Sequence, residues 1–192
     1  IKSDFGMMDF LSEPIEGGLN QDQIRAMGME QWRDIFTPRQ LVVHYEYYQA
    51  YEKYKNEIQK EYNQDKAKTI LTLLSFASNA CLRRNNRAVS WHVNRGSGAN
   101  MFASNNYSLK KMAVDANLSS PRRGYKKYAN GTIDSYEDLS NYVRGKTHRE
   151  NKVLNVDAAD LTDKLSENSV DVAVVDPPYY TSIMYAELSD VF

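Results

Sequence analysis

The residues of this sequence with the clearest capacity for chemistry are Asp176, Pro177, Pro178 and Tyr179, which follow one another directly. The two prolines stiffen the backbone and carry no amide donor, while their carbonyl groups remain as acceptors. The Asp176 carboxylate and the Pro177 carbonyl could therefore hold the two N–H groups of a primary amine on an aromatic ring, with the ring stacked on Tyr179. The amine nitrogen would then face an electrophile, which predicts group transfer to an arylamine without a strong base.

A predicted strand precedes this loop. Residues 170–175 form a nearly continuous β-branched run, which is typical of a strand covered on both faces. Residues 153–156 predict an earlier strand that ends at Asp157, with a short helix over 161–165 in between. This order indicates an α/β fold, in which ligands bind at the carboxyl ends of the strands. A rigid turn is the alternative interpretation of the loop.

The loop and its flanks resemble the catalytic region of amino-methyltransferases that act on nucleic acids. Residues 155–158, 167–171 and 179–190 match that region in order and spacing. With residues 35–41 upstream, the chain is similar to the large prokaryotic adenine-specific DNA methylases that carry an inserted zinc-ribbon region. The resemblance covers most of residues 32–192, densely after residue 153 and thinly between 88 and 150.

The resemblance implies a partial Rossmann-like fold of the α/β class, dependent on S-adenosylmethionine, with an added helical, basic segment. It implies methyl transfer to the 6-amino group of adenine in DNA, with the base flipped out of the duplex. The implied catalytic residues are Asp176, Pro177, Pro178 and Tyr179. Asp157 would lie near the cofactor adenosine, and Tyr180 and Tyr185 would form pocket walls. Methylation of the cytosine 4-amino group, an RNA substrate, or a DNA-binding subunit without catalysis are the alternatives.

Two motifs of the family have no counterpart here. The glycine-rich cofactor motif is missing, because Gly96 and Gly98 follow no predicted strand. One cysteine, Cys81, and three scattered histidines cannot form the zinc ribbon or another metal cluster. Because the chain starts at Ile1 and stops at Phe192 within a predicted helix, we expect a fragment of a larger protein. The expected partners are DNA and other subunits of a restriction-modification or defence system. We expect the protein in the cytoplasm, with no membrane association.

The charge distribution is strongly uneven. Residues 66–133 contain twelve Lys and Arg but one acid, Asp115, whereas the chain as a whole has a net charge of -1. Such a segment is typical of contact with phosphates. The stretch that contains Arg122, Arg123, Lys126 and Lys127 also contains tyrosines, and this composition suits a nucleic-acid backbone. We expect this stretch to bind substrate through these four cations. A solvated loop, or a basic segment folded against acidic flanks, is the alternative.

The periodicity divides the chain into three parts. Residues 1–35 have no clean period and are interpreted as a linker or peripheral segment. Residues 36–150 form the helical and irregular basic segment, a predicted DNA contact, and residues 151–192 the methyltransferase core fragment. Helices are predicted over 41–62, 65–84 and 136–144. Thr37, Pro38 and Gln40 provide a capping box before the first of them. Cys81 lies on the apolar stripe of the second. Residues 88–131 are predicted to be irregular.

Overall fold

The computed structural model describes residues 9–19, 21–102, 114–146 and 153–177, together with Glu187, and this part of the chain is mainly helical. The α-helices are α1 (Gln21–Arg25), α2 (Pro38–Glu61), α3 (Gln64–Leu82) and α4 (Tyr125–Val143). A two-stranded antiparallel sheet consists of β1 (Trp91–His92) and β2 (Ser97–Gly98). Helix α3 packs against both α2 and α4.

Helix α2 begins as the sequence predicts. The Thr37 amide donates to Gln40 Oε1 at 2.8 Å, and the Gln40 amide donates to Thr37 Oγ1 at 3.3 Å, which completes the capping box. Pro38 occupies the first turn, where its missing N–H leaves no bond unmade. Gln40 is also buried and donates from Nε2 to the carbonyl of Val114 at 2.7 Å. The start of α2 is therefore fixed both locally and by a distant segment.

The core lies where the chain enters α2 and leaves α3. It joins apolar side chains from the segment before α2, from the end of α3 and from the loop that follows. Its buried members include Leu11, Ile24, Trp32, Leu82 and Val89. Residues 9–35 thus contribute directly to the core, whereas the sequence predicts a linker or peripheral segment there. Their spacing shows no single period because the apolar residues come from 3-10 turns over Asp9–Ser12 and Trp32–Ile35, from the short α1 and from irregular segments between them.

Helix α4 is longer than the sequence predicts. It starts at Tyr125 instead of near residue 136, so residues 125–131 are helical and the prediction of an irregular segment over 88–131 is wrong there. Gly131 conceals this part of the helix, because glycine is a poor helix former. Packing against α3 overrides that propensity. The predicted helix over 65–84 is confirmed as α3, with Cys81 fully buried.

The two predicted strands near the carboxyl-terminal end do not form among the described residues. Residues 153–156 and 170–175 have no strand partner, and Val174 is 91% exposed. A strand of the parallel type is stable only with neighbours on its edges and layers on its faces. The described strands, β1 and β2, are elsewhere and pair with each other. Between the two runs, the predicted short helix is a 3-10 helix over Ala158–Asp163.

Candidate nucleic-acid interface and the Asp176 loop

The predicted catalytic loop lies at the boundary of the described residues. Asp176 and Pro177 are exposed at the end of an irregular segment. Pro178, Tyr179, Tyr180 and Tyr185 lie outside the described residues. The described atoms therefore present the Asp176 carboxylate to solvent and do not enclose a pocket around it.

Asp157, expected near the cofactor adenosine, begins the 3-10 helix Ala158–Asp163. Its Oδ1 accepts from the amide of Ala159 at 2.9 Å, and the side chain is exposed. Its other oxygen has no hydrogen-bond partner among the described residues and could accept from a hydroxyl or amino group of adenosine. This single acceptor fits S-adenosylmethionine only in part, because the described residues around Asp157 do not enclose a ligand.

Glu187 connects the segment after the loop to the segment before α2. Its carboxylate accepts from the amides of Leu19 at 3.2 Å and of Gln21 at 3.3 Å, where α1 begins. A carboxylate at this position meets the unpaired amides of the first helical turn. Since Glu187 follows Asp176 by eleven residues, this contact keeps Asp176 within about 40 Å of Leu19 and Gln21, the reach of an extended chain.

The predicted substrate-binding cations lie on a turn and on the helix that follows it. Arg122 and Arg123 occupy the turn before α4, while Lys126 and Lys127 lie in the first turn of α4, and all four are exposed. Gly124 closes the turn against the carbonyl of Leu118, so closely that a Cβ would overlap this oxygen. Glycine at this position thereby fixes the direction in which Arg122 and Arg123 leave the backbone.

The short sheet brings other cations close to this turn. A Cβ on Gly96, which has a φ of +54°, would lie 3.1 Å from Arg123 Nη1. A Cβ on Gly98 would lie 2.6 Å from the carbonyl oxygen of Arg84. The absence of side chains at these two glycines lets the sheet pack between the end of α3 and the turn before α4. Gly96 and Gly98 are thus packing positions, and neither belongs to a strand–loop–helix phosphate motif.

The end of α3 contributes two arginines. The guanidinium carbon of Arg84 lies 5.7 Å from the centre of the Tyr128 ring, and Lys127 Nζ lies 5.8 Å from it. Arg83 and Arg84 together oppose the effect of burial, which raises the pKa of Tyr128. We call Arg83, Arg84, Arg123, Lys127 and Tyr128 the arginine–tyrosine cluster. The sequence shows the two arginines as a pair of cations at a helix end, whereas Tyr128 joins them only through the tertiary fold.

A buried polar network positions the start of α4. His44 Nδ1 lies 2.6 Å from the Tyr125 hydroxyl, and Nε2 lies 3.4 Å from the Asn85 carbonyl oxygen. Because a carbonyl can only accept, Nε2 carries the proton and Nδ1 accepts from Tyr125. Burial lowers the pKa of His44 to about 4, and burial raises that of Tyr125. The Tyr125 ring also stacks on Tyr47, with ring centres 3.8 Å apart.

Cys81 shows no sign of nucleophilic chemistry. Its side chain is fully buried, and burial raises the pKa of its thiol to about 12, against which Arg84 acts in the opposite direction. Among the residues that the structure describes, no group of three or more His, Cys, Asp or Glu could hold a metal ion. No described helix is both long and apolar enough to cross a membrane.

Comparison with known proteins gives no relative from which to assign a function. No protein-family model, no curated protein and no solved structure matches this chain.

Proposed function

We propose that this chain contributes to an enzyme that transfers a methyl group from S-adenosylmethionine to the 6-amino group of adenine in DNA. The observation that carries the proposal is the order of residues 170–179, an apolar β-branched run that leads directly into Asp176-Pro177-Pro178-Tyr179. In this proposal, residues 151–192 belong to a partial Rossmann-like methyltransferase core, and S-adenosylmethionine supplies the electrophilic methyl group when bound.

The surface of residues 170–175 supports their assignment to a larger sheet. Val172 is 77% and Val175 is 82% exposed, so this run presents unburied apolar side chains on both of its faces. Exposed β-branched residues in such a run are the surface that a parallel sheet buries under its flanking helices. Once paired, the run would end with Asp176 at the carboxyl edge of the sheet, where ligands bind in such folds.

Asp176 is available for the role proposed for it. Its carboxylate has no hydrogen-bond or ion-pair partner among the described residues and is exposed to solvent. A carboxylate accepts hydrogen bonds only, so it suits an amino group that donates two. With the Pro177 carbonyl as the second acceptor, the amine would be oriented for in-line attack. Orientation of this kind contributes strongly to rate, and about 1 Å of misplacement can cost roughly a hundredfold.

The test is the analysis of nucleosides by mass spectrometry after the protein has been incubated with duplex DNA and S-adenosylmethionine. We expect 6-methyladenine from the native protein and a loss of roughly a hundredfold or more for Asp176→Ala. Asp163→Ala is the matched control, because Asp163 is exposed and lies outside the residues assigned to the site. Methyl transfer that survives Asp176→Ala would refute the mechanism, and 4-methylcytosine instead of 6-methyladenine would move the proposal to the other base.

The alternative is a DNA-binding unit without catalysis, and the uncompensated arginine–tyrosine cluster favours it as a second candidate. The described ion pairs join Arg25 to Asp22, Arg39 to Asp115 and Lys55 to Glu52, and none of them involves this cluster. Tight DNA binding with no methylated base of any kind, in DNA or RNA, would support this alternative.

A further inference from the structure

The arginine–tyrosine cluster carries positive charge that the described structure does not balance. Arg83 Nε and Arg84 Nη1 are buried and have no hydrogen-bond partner within the described part of the chain. Neither arginine has an ion pair with any described acid. A buried donor without an acceptor is unfavourable, and more so when it is charged. Both arginines are partly exposed, so an anion that contacts the exposed part of the guanidinium groups would balance their positive charge.

The cluster is positioned by rigid elements rather than by free side chains. Arg83 is the C-cap residue of α3 and Arg84 follows it directly, and the Arg83 carbonyl accepts from the Met101 amide at 2.9 Å. The Arg84 carbonyl packs against Gly98, and its guanidinium lies near the Tyr128 ring. Arg123 lies over Gly96 on the adjacent hairpin. Such fixed guanidinium groups lose less side-chain entropy on binding than lysines on a solvated loop.

We infer that the arginine–tyrosine cluster is a binding site for the phosphate backbone of DNA, formed by the end of α3 and the start of α4. A guanidinium group matches the geometry of a phosphate with two parallel hydrogen bonds. Several neighbouring cations that form no ion pair with a described acid suit a polymer that carries one charge at each regular step. The choice of DNA over an acidic protein rests on the proposed function. The contacts themselves define an extended anion site, with Arg83 and Arg84 as its anchors.

The test compares the binding of a fluorescent duplex of roughly 20 base pairs, by anisotropy, over a range of salt concentrations. We expect Arg83→Gln/Arg84→Gln to make the negative slope of log K against log salt shallower by about 1.8. This change corresponds to a loss of about 60-fold in affinity near 0.1 M salt. Arg25→Gln/Arg39→Gln is the matched control, because it removes the same charge from two arginines that already have acidic partners. An equal loss in the control would overturn the site.

Two further variants keep the result interpretable if the double substitution unfolds the protein. Arg83→Lys/Arg84→Lys retains the charge and should retain the slope. Lys127→Gln removes an exposed charge and should make the negative slope shallower by about 0.9. An unchanged slope for Lys127→Gln, or displacement of the duplex by polyglutamate at equal charge, would refute a DNA site. All binding is repeated in the Asp176→Ala background, so that loss of methyl transfer and loss of binding are separate outcomes.

Discussion

The buried His44 makes the stability of this protein depend on pH in a predictable direction. The side chain is 2% exposed, and burial lowers its pKa from 6.5 to about 4. In the unfolded chain His44 takes up a proton below about pH 6.5, whereas in the folded chain it does so only near pH 4. The unfolded state therefore binds more protons in this window, and the free energy of unfolding falls as the pH falls through it.

The magnitude follows from the width of that window. At about 1.4 kcal/mol for each pH unit, the interval from 6.5 to about 4 corresponds to roughly 3 kcal/mol of stability lost on acidification. For a chain of this size, that loss lowers the melting temperature by about 6–12 °C. The contribution is fully present above pH 6.5 and is lost progressively below it.

The assay is urea unfolding of the native protein and of His44→Gln between about pH 7.5 and pH 4.5. Glutamine can accept from the Tyr125 hydroxyl and donate to the Asn85 carbonyl, but it does not titrate. We expect the native protein to lose about 2–3 kcal/mol more than the variant over this range. His92→Gln is the control, because His92 is exposed. Equal losses in the native protein and in His44→Gln would show that His44 is not held neutral by burial.

Three further predictions concern Gly96, Gly131 and the single cysteine. Gly96→Ala should destabilise the protein by about 1–2 kcal/mol, because φ is +54° and Arg123 Nη1 is 3.1 Å from the added carbon. Gly131→Ala, with open space around it in α4, should stabilise the protein by about 0.5–1 kcal/mol. Thermal melts of both variants check the two signs, and destabilisation by Gly131→Ala would contradict the account of α4. The Cys81 thiol, with a pKa raised to about 12 by burial, should react with a disulfide reagent only as fast as the protein opens, so stopped-flow labelling at the rate of a free thiol would refute its burial.

The local sequence determined the helices wherever a strong local signal existed. The capping box of Thr37 and Gln40 fixed the start of α2, and the 3.6-residue period predicted α3 and the burial of Cys81. Both signals depend on residues within a few positions of each other, so no distant contact is needed to read them. The same locality let the sequence single out Asp176 and its neighbours as candidate chemistry.

Only the tertiary structure decided which residues share a surface. Tyr128 lies beside Arg84 because α4 packs on α3 from its first turn, a start that Gly131 conceals in the sequence. His44, on α2, lies within hydrogen-bond distance of Tyr125, on α4, and of the Asn85 carbonyl, and no local period encodes that meeting. Conversely, residues 170–175 have strong strand propensity but no partner among the described residues. The physical reason is that a helix closes its hydrogen bonds within one segment, whereas strands and side-chain clusters depend on segments that are distant in sequence.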